Sequence, residues 1–324
     1  MTAKIALRSG VLCAILLLLT TGPLFAQMTP TQQLAQAFVL EKEGKPALVI
    51  AELRPLLDSD SLDTAGAGKA WNILGLAYRD QGEFSMSRHA FEESLHILER
   101  LPDNLRDYAM ALDDFGGLYL ATAQYEPAEK LKTKALDLYE KIDDHGGMVR
   151  ASCDLAAIAF GQKKGGSGSN YLRRAVKEER TAKDLDDDDR AAIASLQGWE
   201  ALFHGDFVVG VARYRQALEL WRKLHGEQHP YTGWGHLLLG DADAAAGEWD
   251  AALGEVRQSI SILDHALGRQ NPRYLLAEMA YSRVLDATGS HSEAAQIKAV
   301  AEPLLADIYR RQCAGCSISA AAFR

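Results

Sequence analysis

The feature that most constrains this chain is a spacing. Counted from Trp71, the residues at the same point of a recurring apolar pattern are Leu112, Ser152, Ala194, His236 and Glu278, separated by 41, 40, 42, 42 and 42 positions. Within the reference unit, Trp71, Leu74, Gly75 and Tyr78 fall at i, i+3, i+4 and i+7 and share one helix face. Gly82 interrupts the pattern, and a second helical run follows with Ala90, Phe91, Ser94, Leu95 and Leu98. Neither face can be buried alone, so the two helices must pair, and the pairs must stack on one another. The 324 residues would be long for one globular core, but a stacked array grows by addition.

Supporting marks recur in register. Gly75 is matched by Gly116, Gly198 and Gly240, and Gly82 by Gly205, Gly247 and Gly289. Ala135, Ala175, Ala217 and Ala301 share one position of the second helices, where a small side chain lets helices approach closely. The spacing predicts hairpins near 31–60, 66–101, 105–143, 147–183, 190–225, 230–266 and 272–311. The first lacks the Trp and Tyr positions and reads as a cap. In the fourth, GQKKGGSGSN (161–170) predicts a long flexible turn, since it has neither the phosphate-loop pattern nor a preceding strand. The Asp-rich run 184–190 predicts a solvated helix start; it lacks the alternating ligands and closing Glu of a calcium loop.

The order W-x2-L-G-x2-Y, followed by a small and then an aromatic residue, resembles the tetratricopeptide repeat. The wording NILGLAYRDQG and the turns GEQHP (226–230) and GRQNP (268–272) are similar to the longer repeats of kinesin light chains. This resemblance implies an all-α fold, a right-handed α-solenoid of about seven antiparallel hairpins. It also implies a protein-interaction scaffold rather than an enzyme, whose first helices line a concave groove holding a protein or peptide partner.

Rotating one residue from the packing row predicts the groove row. It runs through Asn72, Leu76 and Arg79, then Asp113, Gly117 and Leu120, then Cys153, Ala157 and Phe160. It continues through Ser195, Trp199 and Leu202, then Leu237, Asp241 and Ala244, then Met279, Arg283 and Asp286. On this reading Phe160 and Trp199 anchor apolar side chains of the partner, while Asn72, Arg79, Asp113, Asp241 and Arg283 fix its register. The competing reading puts Phe160 and Trp199 in the core.

The amino terminus has Lys4 and Arg8, an apolar run from Val11 to Leu19 and a Thr-Gly-Pro break before Ala26. This predicts a signal peptide over 1–26 and an exported, periplasmic or secreted protein. Removing Lys4 and Arg8 from the 35 basic residues leaves 33 against 44 acidic ones, a net charge of −11 that disfavours nucleic acid and anionic membrane. Past residue 312, a tail of 313–324 holds Cys313 and Cys316, a CxxC that an oxidising compartment would close into a disulfide. The bond is structural, or the pair serves an accessory subunit with a thiol role, although a redox pair normally opens a helix and this one follows one. The tail could also fill the groove of its own or a neighbouring chain, giving a homo-oligomer. His225, His229 and His236 do not complete a zinc set, no catalytic constellation is present, and no cofactor or metal is expected.

Overall fold

The computed structural model describes residues 28–183 and 185–312, so the readings of 1–26, Cys313 and Cys316 lie outside the described residues. The helices are α1 (Pro30–Lys42), α2 (Pro46–Asp58), α3 (Thr64–Gln81), α4 (Phe84–Leu98), α5 (Leu105–Ala121), α6 (Tyr125–Lys141) and α7 (His145–Gly161). They continue with α8 (Gly165–Glu179), α9 (Asp187–Phe203), α10 (Phe207–His225), α11 (Pro230–Ala245), α12 (Trp249–Leu267), α13 (Pro272–Ala287) and α14 (His291–Gln312). Each odd-numbered helix packs on the even one that follows, and each pair packs on the next, which is the expected α-solenoid of seven hairpins. No strand occurs among the described residues, and no helix there is long and apolar enough to cross a membrane.

The turn inside each hairpin explains the glycine register. Gly82, Ala123, Lys163, Gly205, Gly247 and Gly289 all have left-handed backbone, with φ between 54° and 89°. The next amide in each case reaches back five residues, as Glu83 does to the Tyr78 carbonyl at 2.9 Å and Lys164 to that of Ala159 at 2.8 Å. This closes the helix in a Schellman motif. Ala123 and Lys163 hold the same conformation without glycine, so the turn is dictated by the hairpin rather than by residue type. Ser94, Ala135, Ala175, Ala217, Ser259 and Ala301 form the small row of the second helices, each at most 2 % exposed.

The glycine-rich stretch 161–170 departs from the expectation. It is not a long flexible turn: α7 ends at Gly161, α8 begins at Gly165, and the connection is as short as the others. At Gly161, Gly165 and Gly168 large neighbours occupy the space a side chain would need. A Cβ on Gly168 would lie 2.6 Å from the Phe160 ring, and one on Gly165 would lie 2.8 Å from Phe203. The Asp-rich run is a helix start, with Asp186 capping α9, but its carboxylates are paired as well as solvated. Asp187 meets Lys223 at 2.9 Å, Asp188 meets His225 at 2.7 Å and Asp189 meets Arg150 at 3.5 Å.

The array also closes on itself. The end of α1 abuts the start of α11, where a Cβ on Gly44 would be 2.7 Å from the His229 ring. The end of α3 abuts the start of α13, where a Cβ on Gly82 would be 2.7 Å from Pro272. Asn271, the N-cap of α13, donates its side-chain amide to the Asp80 carbonyl at 2.6 Å. Phe84 of α4 stacks on Tyr309 of α14 at 5.5 Å, which joins the apolar cores of the second and last hairpins. At these contacts a negative helix end faces a positive one.

Candidate functional site: a central cavity

Closure converts the concave groove into a cavity of about 710 Å³. Its lining drifts along the helices as the array winds. The early hairpins contribute the ends of their first helices: Phe38, Glu41 and Lys42 from α1, then Leu76, Arg79 and Asp80 from α3. The middle helices α5 and α7 contribute Asp113, Asp114, Gly117, Leu120, Val149, Arg150, Cys153 and Asp154. The late hairpins contribute the starts of theirs: Asp188, Asp189 and Ala192 around α9, Tyr231 and Trp234 from α11, and Arg273 and Leu276 from α13. Apolar surface comes from Trp221, Trp234, Tyr231, Phe38, Phe84 and Tyr309.

The most buried ionic group in this wall is Lys132, whose side chain is 2 % exposed. From α6 its stem crosses Gly116, where a Cβ would come within 2.9 Å of it. The ammonium meets Asp113 at 3.0 Å and also pairs with Asp154. Burial disfavours its charge, but the two carboxylates outweigh that and hold the pKa above the ordinary lysine value. Burial lifts Asp113 to about 6 in spite of Lys132, with Asp154 and Asp114 adding repulsion. Burial likewise lifts Asp189 to about 6 against the pull of Arg150. Asp114 accepts a hydrogen bond from the Asn72 side-chain amide at 2.7 Å.

At the end of α3, Asp80 holds Arg79 at 3.1 Å and Arg273 at 3.2 Å. Burial opposes the charge of Asp80, yet the two guanidinium groups keep its carboxyl below the usual range. Arg273 lies over the Tyr231 ring, 5.6 Å from its centroid. Burial, reinforced by Asp80, pushes Glu41 up to about 7. His229 caps α11 by accepting from the Tyr231 amide at 3.1 Å and stacks on His225 at 4.1 Å. Burial and then His225 push it down to about 4, which leaves a neutral ring with a structural role. No group of three or more His, Cys, Asp or Glu among the described residues is arranged to hold a metal.

The structure brings together some of the expected site residues and not others. Arg79 and Asp113 line the cavity, as do their row mates Leu76, Gly117, Leu120 and Cys153. Asn72 is 5 % exposed and acts behind the wall through Asp114. Phe160 is 4 % exposed, packed over Gly168 and 5.5 Å from the partly buried Trp199, so this pair fills the core between the fourth and fifth hairpins. Asp241 and Arg283 occupy one register position in neighbouring hairpins and pair with each other at 2.9 Å on the surface, away from the cavity.

Lys132 had a signal in the sequence. Its equivalents Phe91, Leu172, Tyr214 and Val256 are apolar, and the last hairpin has an exposed Lys298 there, so a lysine inside the array rather than at its end is out of pattern. Tyr231, Trp234 and Arg273 had none, because they enter the cavity only when the array closes.

The fold and its central cavity define a helical-hairpin solenoid with a concave internal site. Residues 67–141 and 201–265 match the family model of the tetratricopeptide repeat, which takes in most of α3 to α6 and most of α10 to α12. The fold is similar to that of NprR solved in complex with its cognate peptide NprX, with a TM-score of 0.66 and 10% identity over 96% of this chain and 90% of that one. It is similar to a Rap protein solved with the Competence and Sporulation Factor, with a TM-score of 0.57 and 12% identity over 87% of this chain and 96% of that one. The Cut9–Hcn1 assembly gives a TM-score of 0.54 and 14% identity over 87% of this chain and 56% of that one.

Proposed function

We propose that this chain is a non-enzymatic interaction scaffold that holds a short peptide or an extended protein segment inside its central cavity. The observation that carries this reading is the cavity itself, about 710 Å³ lined by tryptophan, tyrosine and paired charges drawn from all seven hairpins. Its size and mixed lining are those of a ligand pocket. The solved complex of NprR with its cognate peptide supports a peptide in a solenoid of this fold. The cations Lys132, Arg150, Arg79 and Arg273 in the cavity lining are each held by a carboxylate, an arrangement that supports binding.

We propose further that the chain is exported and that residues 1–26 are removed. Amino-terminal sequencing of the protein from fractionated cells tests this, with Gln27 expected as the first residue.

The test of the binding reading is affinity selection from a random octapeptide library, using protein that starts at Gln27, with retained peptides identified by mass spectrometry. Retention of a defined subset, competed by one synthetic member, is expected. Failure to retain any peptide would overturn the reading.

A further inference from the structure

Building on that reading, we propose that the wall formed by the third to fifth hairpins is a subsite for a basic side chain of the ligand, a guanidinium or an ammonium. The wall carries Asp113, Asp114, Asp154, Asp186, Asp188 and Asp189 with Lys132 and Arg150, and Lys42 and Arg79 reach it from the first two hairpins, so six carboxylates face four cations. Arg79 is itself held by Asp80, which also pairs with Arg273.

The second observation is Tyr139. Its side chain is fully buried and contributes to the cavity wall, yet its hydroxyl has no hydrogen-bond partner. The ring is seated against Gly147, where a Cβ would lie 2.2 Å away, so the hydroxyl is fixed rather than free to turn to solvent. An unpaired buried hydroxyl costs about 1–3 kcal/mol. A polar ligand group removes that cost. A guanidinium has the matching chemistry, because it donates several N–H bonds at once to the Tyr139 oxygen and to carboxylates. The carboxylate of Asp154, with its side chain 36 % exposed against 8 % for Asp113 and 9 % for Asp189, gives an entering cation its first contact.

The subsite rests on the binding reading but fails separately from it. The probes are octapeptide libraries in which one internal position is fixed as Arg, Lys, citrulline or Glu, incubated with protein beginning at Gln27. Citrulline keeps the shape of arginine without its charge. The Arg and Lys sets are expected to be retained about tenfold more than the citrulline set, and the Glu set least. Asp154→Asn and Tyr139→Phe are each expected to cut the preference for Arg over citrulline to about threefold or less. Asp241→Asn, an equal change of charge outside the cavity, should leave it unchanged. Thermal unfolding of each variant establishes that it is folded, and Tyr139→Phe carries the test if Asp154→Asn is not. Equal retention of the four sets, or loss of the preference in Asp241→Asn, would overturn the subsite alone. Retention of none would overturn the binding reading with it.

Discussion

The side-chain amide of Asn271 donates to the backbone carbonyl of Asp80 at 2.6 Å, across 191 positions of sequence. That bond satisfies a carbonyl at the end of α3 with the residue that caps α13, so one side chain serves two helix termini. It marks the seam where the array becomes a ring. The same geometry recurs one hairpin earlier, where Gly44 faces His229 and Pro230.

Two glycines in one register separate the seam from the turn. Gly82 and Gly247 have φ of 79° and 84°, but a Cβ on Gly82 meets Pro272 at 2.7 Å whereas one on Gly247 meets nothing within 4 Å. Gly247→Ala is expected to cost about 1 kcal/mol, the left-handed penalty alone. Gly82→Ala should cost about 2–4 kcal/mol, because the seam must part or shift. Urea denaturation of the two variants measures the difference.

Lys132 is a buried cation between two carboxylates. Lys132→Leu leaves Asp113 and Asp154 facing each other unpaired and should destabilise by roughly 3 kcal/mol at pH 7. Adding Asp113→Asn and Asp154→Asn removes the uncompensated charges and should restore most of the loss. A triple variant as unstable as the single one would mean that packing of the lysine stem, not charge, is what matters.

The seam also sets a dependence on pH. The folded pKa of Glu41 is about 7, above its unfolded value of 4.5, so between those values the folded protein binds the extra proton. Stability from this group therefore rises as pH falls from 8 toward 5. Asp189 and Asp113 act in the same direction below about 6, while His229, pushed down to about 4, opposes them below 6.5. Glu41→Gln isolates the first contribution. It should stabilise the protein by about 1–3 kcal/mol at pH 8 and by almost nothing at pH 4.5, read as the difference from wild type in thermal unfolding at each pH.

Much of this fold was legible because a helix hairpin writes its period locally. Trp71, Gly75 and Gly82 set the phase, and that phase places Arg79, Asp113 and Cys153 on the cavity wall. It stops working past the fourth hairpin. A fixed offset within each helix carries no information about the drift of the inner surface along the helix axis, so the offset leads to Asp241 and Arg283 where the cavity is lined by Tyr231 and Arg273. Closure was illegible for a related reason. The turns GEQHP and GRQNP read as helix starts, and α11 and α13 do begin at Pro230 and Pro272, but nothing nearby says that Gly44 and Gly82 lie against them.

In the run 161–170 glycine marks crowding at some positions and open space at another. The two cases separate by substitution. Gly166 has open space where its Cβ would be, so Gly166→Ala should stabilise α8 by about 0.5–1 kcal/mol through helix propensity. Gly168→Ala would drive a methyl into Phe160 and should destabilise by about 1–3 kcal/mol. Thermal unfolding of the pair reads both signs.

The central claim is that the ligand sits inside the closed ring and not on its outer face. A photo-crosslinking amino acid at Leu276, in the cavity wall, or at Val300, 63 % exposed on the last helix, compares the two places directly. With a peptide selected from the library, irradiation of the Leu276 variant should give a covalent peptide adduct, blocked by excess unlabelled peptide, and the Val300 variant should give none. An adduct from Val300 alone, or equal adducts from both positions, would contradict the account.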